Sequence, residues 1–181
     1  MSLKERYKKE ILKALQKELS IKNPMRVPKL KKIGINVGIG SLMQRQKDYS
    51  LVVENITKIT GQKPVVVSSR VAISNFKLRK GMPVGVKVTL RKDKMYEFLD
   101  KFVNVVCPRI RDFRGVAKKG FDGKGNFSMG LKDCTVFPEI SMDDLNKIHG
   151  LQISIETTAQ DDKEGEALLS AFGFPFKKDN K

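Results

Sequence analysis

The sequence predicts an α+β fold: an antiparallel or mixed sheet with helices packed on one face and a polar opposite face. Three observations carry this. Residues 33–39 and 84–91 alternate apolar and polar side chains, the period of half-buried strands. Several longer stretches repeat apolar residues at helical spacing. The elements follow the order α-β-α-β-β-α-β-β-α, which mixes the two types without regular strand–helix alternation.

Taken in order, Leu3, Tyr7, Ile11, Leu15 and Leu19 lie on one i+4 row, with Leu12 and Ala14 beside it. This is an amphipathic helix with a lysine-rich outer face, ended by Asn23-Pro24. Two readings are open: a helix docked on the core, or one lying on a membrane surface, the latter disfavoured by its interspersed glutamates. Ile33, Ile35, Val37 and Ile39 then form the apolar face of a strand, and Lys32, Gly34, Asn36 and Gly38 its polar face. Two glycines on one strand face suggest close approach by another backbone or a ligand. The turn at 38–41 leads into a helix with Ser41 as N-cap. Its spacing is neither a P-loop nor a dinucleotide fingerprint. This helix buries Leu42, Tyr49, Val52, Val53, Ile56 and Ile59, is broken by polar Arg45 and Gln46, and stops at Gly61. Val65, Val66 and Val67 read as a short buried strand.

A loop with Arg70, Phe76, Lys77, Arg79, Lys80 and Gly81 precedes the strand of Val84, Val86, Val88 and Leu90. That strand's wet face carries Gly85, Lys87, Thr89 and Arg91. Such a hairpin is either merely solvated or suited to a phosphate-lined partner. Asp93 is read as the cap of the next helix, whose stripe is Met95, Phe98, Leu99, Phe102, Val103 and Val106, ended by Pro108. Residues 108–132 hold five glycines, seven Lys or Arg and three phenylalanines without periodicity, the composition of a functional or disordered loop. Phe113, Phe121 and Phe127 either stack on RNA or pin the loop to the core. A strand is expected from Cys134 to Phe137, closed by Pro138, and a helical turn from Ser141. Leu151, Ile153, Ile155 and Thr157 mark a last strand, and a helix starting at Asp161 buries Ala167, Leu168, Ala171 and Phe172. The expected organisation is one domain over 1–181: N-terminal helix 2–22, core 25–107, long basic loop 108–132, and C-terminal strands and helix 133–176.

Composition bounds the partner. The chain has 181 residues and a net charge of +16, which implies a polyanion. Seventeen Lys or Arg against five acids fall in 63–132, and the balance turns acidic from Asp133 on. No apolar run reaches the length of a membrane span, and no secretory apolar core opens the chain. Cys107 and Cys134 are expected as reduced thiols in a cytosol.

No catalytic, metal or cofactor site is expected. His149 is the only histidine and is read as capping a carbonyl at a helix end. With Cys107 and Cys134 it matches no zinc spacing. The acid pairs Asp143-Asp144 and Asp161-Asp162 fall at helix starts, apart from the basic residues that a metal-dependent nuclease would set around them.

The blocks Thr60-Gly61-Gln62-Lys63-Pro64 and Phe76-Lys77-x-Arg79-x-Gly81-x-Pro83-x-Gly85-x-Lys87-Val88-Thr89-Leu90-Arg91 resemble the bacterial type of large-subunit ribosomal protein five. So do Pro108-Arg109-Ile110-Arg111-Asp112-Phe113-Arg114-Gly115, Gly125-Asn126-Phe127-Ser128-Met129-Gly130, Phe137-Pro138-Glu139-Ile140 and Phe172-Gly173-Phe174-Pro175-Phe176. The likeness runs in register along essentially the whole chain. It implies a non-enzymatic structural constituent of the cytoplasmic ribosome that anchors 5S rRNA in the central protuberance. It implies contacts with large-subunit rRNA, P-site tRNA, neighbouring central-protuberance proteins and protein thirteen of the small-subunit head. The 5S rRNA contacts map to Asn36, Gln62 and Thr89, and the tRNA contact to Ser74, Asn75, Phe76, Lys77, Arg79, Lys80 and Gly81. The candidate rRNA set is then Lys32, Gly34, Asn36, Gly38, Gln62, Lys63, Lys87, Thr89 and Arg91. Further RNA or subunit-bridge contacts fall to Arg109, Arg111, Arg114, Lys118, Lys119 and Lys124. The competing reading is a free RNA chaperone or mRNA-binding regulator using the same face.

Overall fold

A computed structural model describes residues 3–40, 49–111, 113–140 and 149–177. The helix start expected at Ser41, with Leu42, Arg45 and Gln46, lies outside the described residues, as does the turn expected from Ser141 with Asp143 and Asp144. The strands are β1 (Leu30–Gly38), β2 (Val65–Ser68), β3 (Pro83–Leu90), β4 (Phe127–Leu131) and β5 (Leu151–Thr157). They form one five-stranded antiparallel sheet in the order β2-β3-β1-β5-β4. With its helices this is the expected α+β class. The chain divides into two compact units, one of Met1–Ile33, Leu90–Met129 and Ser154–Lys181, the other of Gly34–Thr89 and Gly130–Ile153.

Unit one begins with helix α1, which is α-helical over Leu3–Arg6 and Leu12–Glu18 with a π-turn at Tyr7–Ile11 between. A strict i+4 row drifts by about 40° per step around an α-helix. The wider π-turn corrects that drift, and Leu3, Tyr7, Ile11 and Leu15 are all buried. The stripe docks on the core of its unit. Tyr7 stacks on Phe172 at 5.6 Å and its hydroxyl donates to the Pro28 carbonyl at 2.9 Å. Burial pushes the Tyr7 phenol up to about 12. The helix stops at Glu18, earlier than the sequence suggested, because Ser20 turns left-handed at φ 52°. Asn23 instead caps a separate short turn, Pro24–Arg26, accepting from the Met25 N–H.

Helix α2 (Ser50–Thr60) belongs to unit two, and helix α3 to unit one. α3 runs through Lys92–Lys101, a π-turn at Phe102–Val106 and a last turn at Cys107–Arg109. Asp93 is not its cap. Arg91 holds that position in extended backbone, and the Asp93 carboxylate pairs with the Lys4 ammonium. That bond holds Asp93 below, and Lys4 above, their ordinary pKa values. Nor does Pro108 end the helix. The π-turn shifts the hydrogen-bond register, with Cys107 N–H donating to Phe102, and proline fits early in the final turn. Helix α4 (Asp162–Ala171) packs on α1.

The stretch 108–132 is less irregular than its composition suggested. Phe127–Leu131 is strand β4, and the expected strand at Cys134–Phe137 is a 3-10 turn, Cys134–Val136. Phe127, Met129 and Leu131 do alternate with Ser128 and Gly130, but the glycines hide the pattern. Cys134 and Phe137 are both buried three residues apart, which is a turn's period. Phe121, Phe127, Phe174 and Phe176 pack as a ring cluster with centroids 4.9 to 5.8 Å apart. So Phe121 and Phe127 pin the segment. The Asp162 carboxylate accepts from the Gly123 and Gly125 N–H groups at 3.2 and 2.9 Å. A Cβ at Gly165 would stand 2.6 Å from the Gly125 carbonyl oxygen, so this loop lies directly on α4.

In unit two, α2 buries Val52, Ile56 and Ile59 and ends where Gly61 takes φ 61°, its N–H donating to Thr57 at 2.8 Å. β2 is an edge strand and not the buried one expected. Val65 is 68% and Val67 43% exposed. Three valines in a row look buried locally, but strand order is set by distant pairing.

Candidate nucleic-acid interface

In unit two the alternation of β1 and β3 separates two faces. Ile35, Val37, Val86 and Val88 are buried, whereas Asn36, Gly38 and Lys87 are exposed and Thr89 is half-buried. Gly85 lies where a Cβ would come within 3.2 Å of the Val37 carbonyl oxygen. Its bareness therefore serves the closeness of β3 to β1 as well as any ligand. Gly38 is different: a Cβ there meets no atom within 4 Å. Nothing among the described residues requires that glycine. Gly38→Ala is expected to fold as well as the parent, within about 1 kcal/mol in urea unfolding. A larger loss would show that the glycine serves the fold.

Gln62 follows the left-handed end of α2, and the Thr60 hydroxyl fixes its backbone, donating to the Gln62 carbonyl at 3.0 Å. Its side-chain amide reaches the Thr89 carbonyl at 3.5 Å. Gln62 and Thr89, far apart in the chain, thus meet. Lys63 and Lys87 are exposed, and from Gly61 to Thr89 there are six Lys or Arg and no acid. This face offers amide and hydroxyl groups between cations, the set that reads 2′-hydroxyls and phosphates.

Lys32 and Arg91 belong to unit one. Arg91 is exposed, but Lys32 is held by Glu156, Nζ to carboxylate 2.7 Å. Lys32 is therefore a compensated cation. Gly34 is half-buried on β1. The glutamate partner was missed because nothing in the local sequence brings β5 beside β1.

The segment between β2 and β3 is an ordered hairpin extension. Ser69 and Met82 pair at its base, and Ile73 and Leu78 exchange two backbone hydrogen bonds of 3.0 Å nearer the tip. Ser74–Phe76 is a 3-10 turn closed by Lys77 in left-handed backbone, and Gly81 takes φ 88°. Ser74, Asn75, Phe76, Lys77, Arg79, Lys80 and Gly81 are all exposed, Phe76 at 66%. An open ring among three cations can stack on a base while the cations meet phosphates.

In unit one, Arg109, Arg111, Arg114, Lys119 and Lys124 are exposed. Lys118 is bound to Glu166 at 2.9 Å.

Among the described residues, no three His, Cys, Asp or Glu side chains are grouped to hold a metal ion. His149 is buried, with Nδ1 3.4 Å from Cys134 Sγ, and the helix end it is read as capping lies outside the described residues. Burial pushes the Cys134 thiol up, and Cys107 up to about 12, so neither is an activated nucleophile.

Comparison with known proteins gives the family. The family model for ribosomal protein L5 matches residues 23–79, and the model for the C-terminus of the same ribosomal family matches residues 83–176. The chain is 51% identical over 176 residues to the large ribosomal subunit protein uL5 of Syntrophotalea carbinolica, covering 97% of this chain and 96% of that protein. It is 52% identical over 175 residues to uL5 of Geotalea uraniireducens, with 97% and 98% covered. Against uL5 of Caldanaerobacter subterraneus subsp. tengcongensis the identity is 48% over 176 residues, with 97% and 98% covered.

Proposed function

From the premise that this chain belongs to the ribosomal protein L5 family, and is a non-enzymatic component of the large ribosomal subunit in the cytoplasm, we propose that its rRNA ligand is 5S rRNA. It anchors that RNA in the central protuberance through the open strand face of unit two. The observation that carries this is the juxtaposition of Asn36, Gly38, Lys87 and Thr89 on outward strand positions, with Gln62 brought to Thr89. Cations neutralise phosphates and give affinity. The amide and hydroxyl groups reach 2′-hydroxyls and base edges and give specificity. The hairpin tip at 74–81 reaches P-site tRNA. The exposed arginines and lysines of 109–124 contact large-subunit rRNA or bridge to the small-subunit head.

The test is binding of the purified protein to 5S rRNA against a tRNA-sized competitor RNA. The parent should prefer 5S rRNA. Asn36→Asp with Thr89→Glu should cost roughly tenfold or more, since a buried contact left unpaired costs ~1–3 kcal/mol. Parent-like binding by the double variant would rule this face out. A protein that binds 5S rRNA and competitor alike, and fails to sediment with large subunits in a sucrose gradient, would instead be a free RNA chaperone or regulator.

A further inference from the structure

Lys32 and Glu156 both belong to unit one, Lys32 on β1 and Glu156 on the neighbouring strand β5. Their ion pair, Nζ to carboxylate 2.7 Å, leaves 31% and 38% of the two side chains open, so a dissolved RNA can reach it. An exposed pair of this kind adds little to stability, and the fold does not account for it. Its place in the sheet is telling. β5 and β4, the strands that follow β1 in the sheet order, contain no Lys or Arg. Glu156 therefore neutralises the last cation before two strands that have none. A phosphate drawn to the Lys32 ammonium would have to sit beside the Glu156 carboxylate, and repulsion between the two anions offsets the attraction to the cation. In unit two the opposite holds. Six Lys or Arg fall in 61–89 without one acid, and Lys63 and Lys87 are exposed.

We propose that Glu156 is a specificity-determining residue: it withdraws Lys32 from phosphate binding and so disfavours RNA that has only a charged backbone to offer. The inference rests on the reading of unit two as the 5S rRNA site. Asn36, Gln62, Lys87 and Thr89 carry that site and belong to unit two, so cognate binding draws nothing from Lys32. A non-cognate RNA makes poor use of the amide and hydroxyl groups there and is held by its phosphates. Each free cation it finds adds about one released counterion to its grip. A carboxylate set on one such cation weakens the wrong ligand and spares the right one, which is how charge builds selectivity.

The test uses the full chain with Glu156→Gln, a near-isosteric change that removes only the charge. Binding to 5S rRNA and to a tRNA-sized competitor RNA is measured over a salt series. For the competitor, the slope of log affinity against log salt should steepen by ~0.7–0.9, a change of about threefold in affinity between 50 and 200 mM salt. The 5S rRNA slope should stay as in the parent, so the preference for 5S rRNA falls. Lys32→Ala alone should leave both slopes unchanged, and Lys32→Ala added to Glu156→Gln should restore the parent's slope on the competitor. A slope lowered by Lys32→Ala alone would show that Lys32 meets phosphate with Glu156 in place, and overturns the proposal. So does an equal gain on both RNAs, or a gain that survives Lys32→Ala and is then the effect of net charge. Lys87→Ala, which should lower the 5S rRNA slope by ~0.7–0.9, controls for the site itself. If that variant and Asn36→Asp with Thr89→Glu are both silent, the underlying site reading has failed. If they behave as expected and Glu156→Gln is silent, only the role of Glu156 has.

Discussion

A chain in which residues 74–80 are replaced by a short Gly/Ser linker is expected to keep binding 5S rRNA and to release P-site tRNA roughly tenfold faster. The replacement removes Lys77, Arg79 and Lys80 together with the open Phe76 ring. Exposed ion pairs are worth ~0.2–1 kcal/mol each, and base stacking ~1–3 kcal/mol. Their joint loss therefore reaches at least one order of magnitude. The strands below do not depend on the tip. Pairing at Ser69–Met82 and the register from Val65 to Ser68 lie outside the replaced segment. Because cations grip the backbone and carry little base information, the effect should be the same for tRNAs of different sequence. Filter-binding of tRNA to reconstituted subunits over a salt series checks this. Loss of 5S rRNA binding, or unchanged tRNA release, would refute the division of labour between strand face and tip.

Phe127→Ala is expected to destabilise the protein by about 3–5 kcal/mol, the cost of emptying a large buried aromatic site. Phe127 is 1% exposed and touches the rings of Phe121, Phe174 and Phe176, so no neighbour can collapse into the cavity without breaking another pair. Phe76→Ala, at a ring 66% exposed, should change stability by no more than ~0.5 kcal/mol. Equilibrium urea unfolding of both variants decides. A loss under about 1 kcal/mol for Phe127→Ala would mean that the cluster does not anchor the 108–132 segment.

Local pattern made much of this legible. The faces of β1 and β3 follow directly from period two, and the stripes of α1 and α3 from helical spacing. Gly61 was readable as a helix end because left-handed backbone favours glycine. What failed was decided by residues far away. Whether Val65–Val67 is covered depends on β2 being the last strand in the sheet. Lys32 reads as a free phosphate ligand until β5 brings Glu156 to it. Asp93 looks like a helix cap until Lys4 claims its carboxylate. β4 was hidden for a different reason. Gly130 and the neighbouring glycines carry no side chain to register as one face or the other, while the better apolar run at 134–137 folds as a turn.

The packing of α1 against α4 has a consequence for how the molecule is made. α1 also packs on α3, and both partner helices come later in the sequence, so during synthesis Leu3, Tyr7, Ile11 and Leu15 emerge before the helices that α1 packs on exist. Those side chains must wait in water, or in transient company, until Phe172 arrives. The charged residues Lys8, Lys9, Lys13 and Lys17 between them then act as gatekeepers against aggregation of the nascent chain.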